Sequence, residues 1–306
     1  MKIAIIGQAA FGKDVLIKLI ENGEIVSAVI CPPDDGKSFD PIKQTAISNE
    51  IEVFQYERMR DTSAIKEYIS LDIDLCVMAF VTDIVPMEIL TAPTFGTIQY
   101  HPSLLPQHRG PSSINWPIIK GEGKTGLTIF WPDEGLDTGP ILLQKEVDIT
   151  PEDTLGSLYF GKLFPLGVDA IFEAVKLVKK NKAPKIDQNH HQATYEGWCT
   201  PSDGQIDWAR PAPKIYNLIR GCDPSPGANT TYRGDNLSFF DASYKNVENL
   251  EHENGTVISI EGDNLTIKAK GGLIQIGRLR YGKGPKLQAS EFAEKHGVYK
   301  GTKFPS

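Results

Sequence analysis

The chain has 306 residues, of which 40% are hydrophobic and 23% charged, a balance that suits one large or two ordinary globular domains with a sizeable core. A formal net charge of −7 and an isoelectric point near 5.5 exclude a broadly basic surface of the kind that binds DNA, and leave tRNA a poor partner except through a local patch. The cysteines Cys31, Cys76, Cys199 and Cys222 lack Cys-x-x-Cys spacing, so neither a zinc site nor a disulfide framework is expected, and a reducing cytoplasm fits.

The opening run Met1-Lys2-Ile3-Ala4-Ile5-Ile6-Gly7 is too short for a signal peptide and reads as a buried strand over residues 3–6. No apolar run of about 18 residues is evident elsewhere, so neither secretion nor a membrane association is expected. Helical periodicity over 11–20, stopped at Asn22-Gly23, completes a βα unit. Gly7, Ala9 and Gly12 approach the dinucleotide fingerprint, but Ala9 replaces its middle glycine. The next strand, 25–30, ends at Cys31-Pro32-Pro33 where an acidic residue would hold the ribose. No NAD(P) is therefore expected to bind this chain.

Further strands are expected at 51–54, 75–79 and 96–100, with helices at 41–49, 63–70 and 86–90. Such alternation predicts a Rossmann-like, mostly parallel, doubly wound α/β sheet. His101 leaves the end of the last of these strands in a Pro-punctuated loop, Tyr100-His101-Pro102-Ser103-Leu104-Leu105-Pro106-Gln107-His108-Arg109-Gly110, at the edge where open α/β sheets place ligands. Asp137 lies between glycines in Gly135-Leu136-Asp137-Thr138-Gly139, where close backbone approach is possible and a carboxylate can orient an imidazole. The pair suggests proton-transfer chemistry.

Residues 110–120 read as a helix entered through Pro111-Ser112-Ser113, 127–131 and 141–147 as strands around the Asp137 turn, and 151–180 as one long amphipathic helix. Residues 181–204 are polar and read as a linker. His190 and His191, adjacent and without further ligands at metal spacing, read as solvated, so no metal is expected. A short helix at 213–220, the breaker Asp223-Pro224-Ser225-Pro226-Gly227, β-type runs at 236–240, 255–260, 264–269 and 273–279, and a closing helix at 289–295 predict a small β-barrel, OB-like in type. The expected domains are 1–203 and 204–306.

His-Pro-Ser-Leu-Leu-Pro at 101–106, His-Arg-Gly at 108–110 and Gly-Leu-Asp-Thr-Gly at 135–139 resemble the signature of the folate-dependent formyl transfer superfamily. The resemblance implies an enzyme of one-carbon metabolism that uses 10-formyltetrahydrofolate, with His101 and Asp137 catalytic. It also implies an amide two residues before the histidine to bind the formyl oxygen. Here that residue is Gln99, one methylene longer than the usual Asn. Folate contacts would come largely from backbone at Ala79, Phe80, Val81, Thr82 and Asp83 and at Pro132, Asp133 and Glu134, with Phe80 against a flat pterin.

The likeness runs furthest with the amino-terminal hydrolase domain of 10-formyltetrahydrofolate dehydrogenases. Pro33-Asp34-Asp35-Gly36-Lys37, Ile84-Val85-Pro86-Met87-Glu88-Ile89, Ser113-Ile114-Asn115-Trp116, Ile129-Phe130-Trp131 and Ala193-Thr194-Tyr195-Glu196-Gly197 carry it. That implies hydrolysis to tetrahydrofolate and formate. The carrier and aldehyde dehydrogenase domains into which such proteins continue would be partners outside these 306 residues. The alternative is transfer to an amine, on methionyl-tRNA or a nucleotide-linked amino sugar. Methionyl-tRNA formyltransferases share both motifs but carry a longer basic loop where this chain has the acidic Asp34-Asp35-Gly36-Lys37-Ser38-Phe39-Asp40, so tRNA is not the expected acceptor.

Overall fold

The computed structural model describes residues 1–34, 36, 39–247 and 251–306. The chain forms two compact units, each discontinuous in sequence: residues 1–110, 126–147 and 162–195 make the first, and 111–125, 148–161 and 196–306 the second.

The first unit is built on β1 (Lys2–Gly7), β2 (Ile25–Cys31), β3 (Glu52–Gln55), β4 (Leu75–Ala79), β5 (Thr97–His101), β6 (Lys124–Phe130) and β7 (Ile141–Asp148), in the order β3-β2-β1-β4-β5-β6-β7. Pairing is parallel from β3 across to β5, and β6 runs antiparallel to β5. Strand residues alternate between two faces. On β1, Ile3 and Ile5 enter one apolar core with Phe11, Val15, Leu16 and Leu19 of α1 (Ala9–Glu21), while Ala4 and Ile6 enter another with Tyr68, Ile89 and Leu90. The second face is covered by α3 (Thr62–Ser70) and α4 (Met87–Leu90). This is the Rossmann-like, doubly wound arrangement that the alternation of patterns implied.

Local chemistry sets the helix ends. Between β2 and β3, α2 (Pro41–Ser48) starts with Pro41 in its first turn and with the Asp40 carboxylate accepting from Ile42 N at 3.0 Å, a side-chain N-cap. The expected helix over 110–120 is shorter: residues 110–114 form turns, and α5 spans Asn115–Lys120. The expected helix over 151–180 is broken into α6 (Leu155–Leu158), a π turn (Tyr159–Leu163) and α7 (Phe164–Lys179). Pro165 at the start of α7 has no N–H to donate back into the preceding turn, which favours the wider winding there. Taken whole, Leu155–Lys179 is long and apolar enough to cross a membrane by length and composition, a property that core helices of soluble proteins share. Ala170, Ile171, Ala174, Val175 and Val178 of α7 lie in the first unit's core.

The second unit carries α8 (Ala212–Gly221), β8 (Ala228–Tyr232), β9 (Asp235–Asn246), β10 (Val257–Glu261), β11 (Asn264–Ala269), β12 (Gly272–Tyr281), β13 (Lys286–Gln288) and α9 (Ala289–His296). Its sheet is antiparallel, in the order β10-β11-β12-β9-β8, with β13 on β12. Trp208, Phe239, Phe292 and Phe304 centre a core of its own. Strand β8, with the sequence Ala-Asn-Thr-Thr-Tyr, carries little apolar signal, yet it pairs along its length with β9 and buries Asn229 and Thr230.

Candidate active site

His101 is the last residue of β5. Ile98 and Tyr100 of that strand enter the core with α1, so Gln99 and His101 share the opposite face, with Gln99 half-buried. The loop that follows is held by side chains of the neighbouring strands. Thr128 Oγ1 on β6 donates to Ser103 O at 2.7 Å and accepts from Leu105 N at 3.1 Å and from Gln144 Nε2 at 2.9 Å. Gln144 on β7 also donates to Leu105 O at 2.8 Å.

The His101 ring is buried, and its Nε2 lies 2.9 Å from the carbonyl oxygen of His108. A carbonyl only accepts, so Nε2 carries the hydrogen and Nδ1 of the neutral ring keeps the lone pair. That Nδ1 lies 3.6 Å from Oδ2 of buried Asp137, beyond direct hydrogen-bond range but close enough for the carboxylate to stabilise a proton held there. Asp137 Oδ2 is aimed by Gly110 N, which donates to it at 2.8 Å. The turn carrying the aspartate is tight. Asp137 has φ +56°, and Asp133 Oδ1 accepts from Gly135 N at 3.0 Å and from Thr138 Oγ1 at 2.5 Å. A Cβ on Gly139 would stand 1.8 Å from Trp131 O, so this glycine serves packing within the turn.

The residues expected around folate fall in two places. Phe80, with φ +64° and 47% exposed, Val81, Thr82 and Asp83 line a cleft of about 280 Å³ together with Gly7, Cys31 and Tyr56. It lies at the carboxyl ends of β1, β2 and β4, where strand order reverses. Ala79 is buried at the end of β4. Asp83 is engaged by backbone, its Oδ2 accepting from Met59 N at 2.9 Å. Pro132, Asp133 and Glu134 belong to the Asp137 turn and do not line that cleft; nor do Gln99, His101 or Asp137. Burial, and then the nearby Asp40 carboxylate, push the Cys31 thiol up to about 11, so it is no nucleophile near neutral pH.

Beside the cleft, a recess of about 260 Å³ is lined by Gln8, Ala9, Asp34, Phe39 and Asp40. Ala9 N, at the amino terminus of α1, donates to both carboxylate oxygens of Asp40 at 2.9 Å. Lys43 is paired with Asp34. Of the acidic loop, Asp35, Lys37 and Ser38 lie outside the described residues. Among the described residues, no group of three or more His, Cys, Asp or Glu side chains is placed to hold a metal ion.

Sequence reading missed the residues that brace the histidine and aspartate. Arg109 and Gln188 are buried side by side, and Thr194 bonds back to the His101 loop. Arg109 stood inside the motif without an assigned part. Gln188 offered no signal, because it lies in a stretch whose composition is that of a linker. His190 and His191 are exposed, on a single 3₁₀ turn.

The chain, with a histidine at the end of β5 of a Rossmann-like sheet facing a carboxylate from the β6–β7 turn, belongs to the formyl transferase family. The family's Formyl transferase pattern matches residues 1–164, and that of the Formyl transferase C-terminal domain matches 199–297. Cytosolic 10-formyltetrahydrofolate dehydrogenase of Homo sapiens is 42% identical over 284 residues, covering 90% of this chain and 31% of that protein. The chain thus spans about a third of the length of these dehydrogenase relatives. Methionyl-tRNA formyltransferase of Acetivibrio thermocellus is 33% identical over 307 residues, covering 98% of each chain. The solved structure of HypX from Aquifex aeolicus in complex with tetrahydrofolic acid shares the fold, with a TM-score of 0.72 at 19% identity over 100% of this chain and 50% of that one.

Proposed function

We propose that the chain hydrolyses 10-formyltetrahydrofolate to tetrahydrofolate and formate, as a cytoplasmic enzyme. The observation that carries the choice of water over an amine is the amino terminus of α1. Its Ala9 N–H, the group that a phosphate would take in this fold, is already bonded to the Asp40 carboxylate. Amino-sugar nucleotides and tRNA both bring phosphates. Here they would meet Asp34, Asp40, Glu57 and Asp83 around the adjoining hollows, with no Lys or Arg among the described residues of either lining. The extent of identity to the dehydrogenase relatives supports the same reading.

In this reading the formyl carbon lies against His101 and Asp137. Water attacks that carbon as its proton passes to the His101–Asp137 pair. The tetrahedral intermediate then collapses with cleavage of the bond to N10, which takes up a proton, and formate leaves. Nε2–H, held by His108 O, fixes the ring so that Nδ1 does the proton work, with Asp137 stabilising the imidazolium. Gln99, on the same face of β5, would donate to the formyl oxygen. Phe80 to Asp83 and Pro132 to Glu134 supply the folate contacts. Residues 1–203 would carry the chemistry, with 204–306 as an accessory domain. In a longer protein, carrier and dehydrogenase domains would consume the same substrate.

The test is to incubate the protein with 10-formyltetrahydrofolate alone, then with methionyl-tRNA or a nucleotide-linked amino sugar added, following tetrahydrofolate and formate. Formate released without an acceptor is expected, and His101→Ala or Asp137→Ala should each lower kcat by about 10²- to 10⁴-fold. Tetrahydrofolate formed only with an amine, and without formate, would replace hydrolysis by transfer.

A further inference from the structure

One buried amide ties together the two loops that place the Asp137 carboxylate. Gln188 is 5% exposed, and its Oε1 accepts from Arg109 Nη2 at 2.7 Å and Nε at 3.3 Å. Its Nε2 donates to Asp137 O at 2.9 Å and to Gly139 O at 2.7 Å. Both lone pairs and both hydrogens of the amide are therefore used. On one side it grips the Asp137 turn. On the other it grips Arg109, whose neighbour Gly110 donates the N–H that aims Asp137 Oδ2.

The arrangement holds a conformation that does not hold itself. Asp137 sits at φ +56°, a left-handed backbone that is strained for a residue with a side chain and that the surroundings hold in place. The two carbonyls gripped by Gln188 lie at and just after that residue. The segment bearing Gln188 is anchored independently by backbone. Ile186 and Ile141 exchange hydrogen bonds at 2.7 and 2.9 Å, Arg109 N donates to Thr194 O at 3.1 Å, and Thr194 N donates to Pro106 O at 3.2 Å. Arg109 Nη2 also donates to His190 Nδ1 at 3.0 Å. Changing the Gln188 side chain thus removes the cross-tie while the frame around it remains.

We propose that Gln188 is a positioning residue of the formyl-cleaving site, acting on Asp137 through its backbone and, through Arg109, on the Gly110 amide. The kinetic part of this claim rests on the hydrolase reading. Gln188→Glu is the sharpest test, because it keeps size and the acceptor for Arg109 but loses both donors to the Asp137 turn. The expected result is a kcat lower by about 10- to 100-fold, with KM for 10-formyltetrahydrofolate within about twofold of the parent, at a temperature where both proteins are folded. Accelerated hydrogen exchange of the Gly110 amide by NMR should accompany it. Gln188→Met, which also empties the acceptor, should show the same split and serves if the glutamate variant does not fold.

A folded Gln188→Glu with kcat within twofold of the parent would overturn the proposal. So would a loss confined to melting temperature with unchanged kcat, which is what a purely structural amide would give. If the parent itself shows no turnover, the hydrolase reading fails, and Gly110 exchange still decides the matter: unchanged protection in both variants would overturn the role of Gln188, and lost protection would support it.

Discussion

Two loops leave the same edge of the same sheet, one after β1 and one after β5, and they have been put to opposite uses. The loop after β1 stands where a doubly wound sheet offers a helix amino terminus to a phosphate, and it is closed by the chain's own Asp40 carboxylate on Ala9 N. The loop after β5 makes no such general offer. It is pinned by Thr128 and Gln144 and presents one ring with one nitrogen committed to His108 O. The fold marks the edge where ligands go, whereas side chains decide how each part of that edge is furnished.

The largest effect should come from disturbing the turn that brings Asp137 to the β5 loop. In Gly139→Ala the new methyl would stand 1.8 Å from Trp131 O, and backbone cannot yield that distance without moving Asp137. A kcat loss of about 100-fold or more is expected, with destabilisation of about 1–3 kcal/mol by denaturant titration. The Asp40 carboxylate should stay on Ala9 N beside β1. A variant with parental kcat would mean that the 3.6 Å approach of Asp137 to His101 is not needed.

A milder break removes the pin. Thr128→Val conserves shape but deletes the hydroxyl that serves Ser103 O, Leu105 N and Gln144 Nε2, and it leaves buried backbone groups unsatisfied. Stability should fall by about 1–3 kcal/mol, and kcat should fall further than the folded fraction does. Equal losses in the two would make Thr128 a plain core residue.

The sheet was legible because its strands are continuous apolar runs separated by helical periods; residues 75–79 were bounded on sequence as they are in β4. His101 and Asp137 were legible because motif and strand end coincide. The brace around them was not. Gln188 reaches its partners across dozens of residues of chain, and nothing local in a polar segment distinguishes an amide that will be buried from one that will be solvated. For the same reason β8 escaped detection, since Asn229 and Thr230 are buried by pairing and side-chain bonds that composition does not encode. The single helix drawn over 110–120 failed where turn residues outweighed periodicity, and Asp40 read as loop acidity until its oxygens were found on Ala9 N.

The smallest expected effect falls on that carboxylate, and it bears most directly on the acceptor. Asp40→Ala removes the N-cap of α2 and the partner of Ala9 N together, so a stability loss of about 0.5–2 kcal/mol is expected from the cap. The proposed hydrolysis should change little, since neither His101 nor Asp137 bonds to Asp40. What should change is the response to anions. With the carboxylate gone, the α1 amino terminus is free to take one, so inorganic phosphate should raise the melting temperature of the variant in a concentration-dependent way while leaving the parent unmoved. If the parent is stabilised as strongly as the variant, Asp40 does not close the loop after β1. The loop after β1 would then be open to a phosphate-bearing acceptor, whatever the rate of formate release.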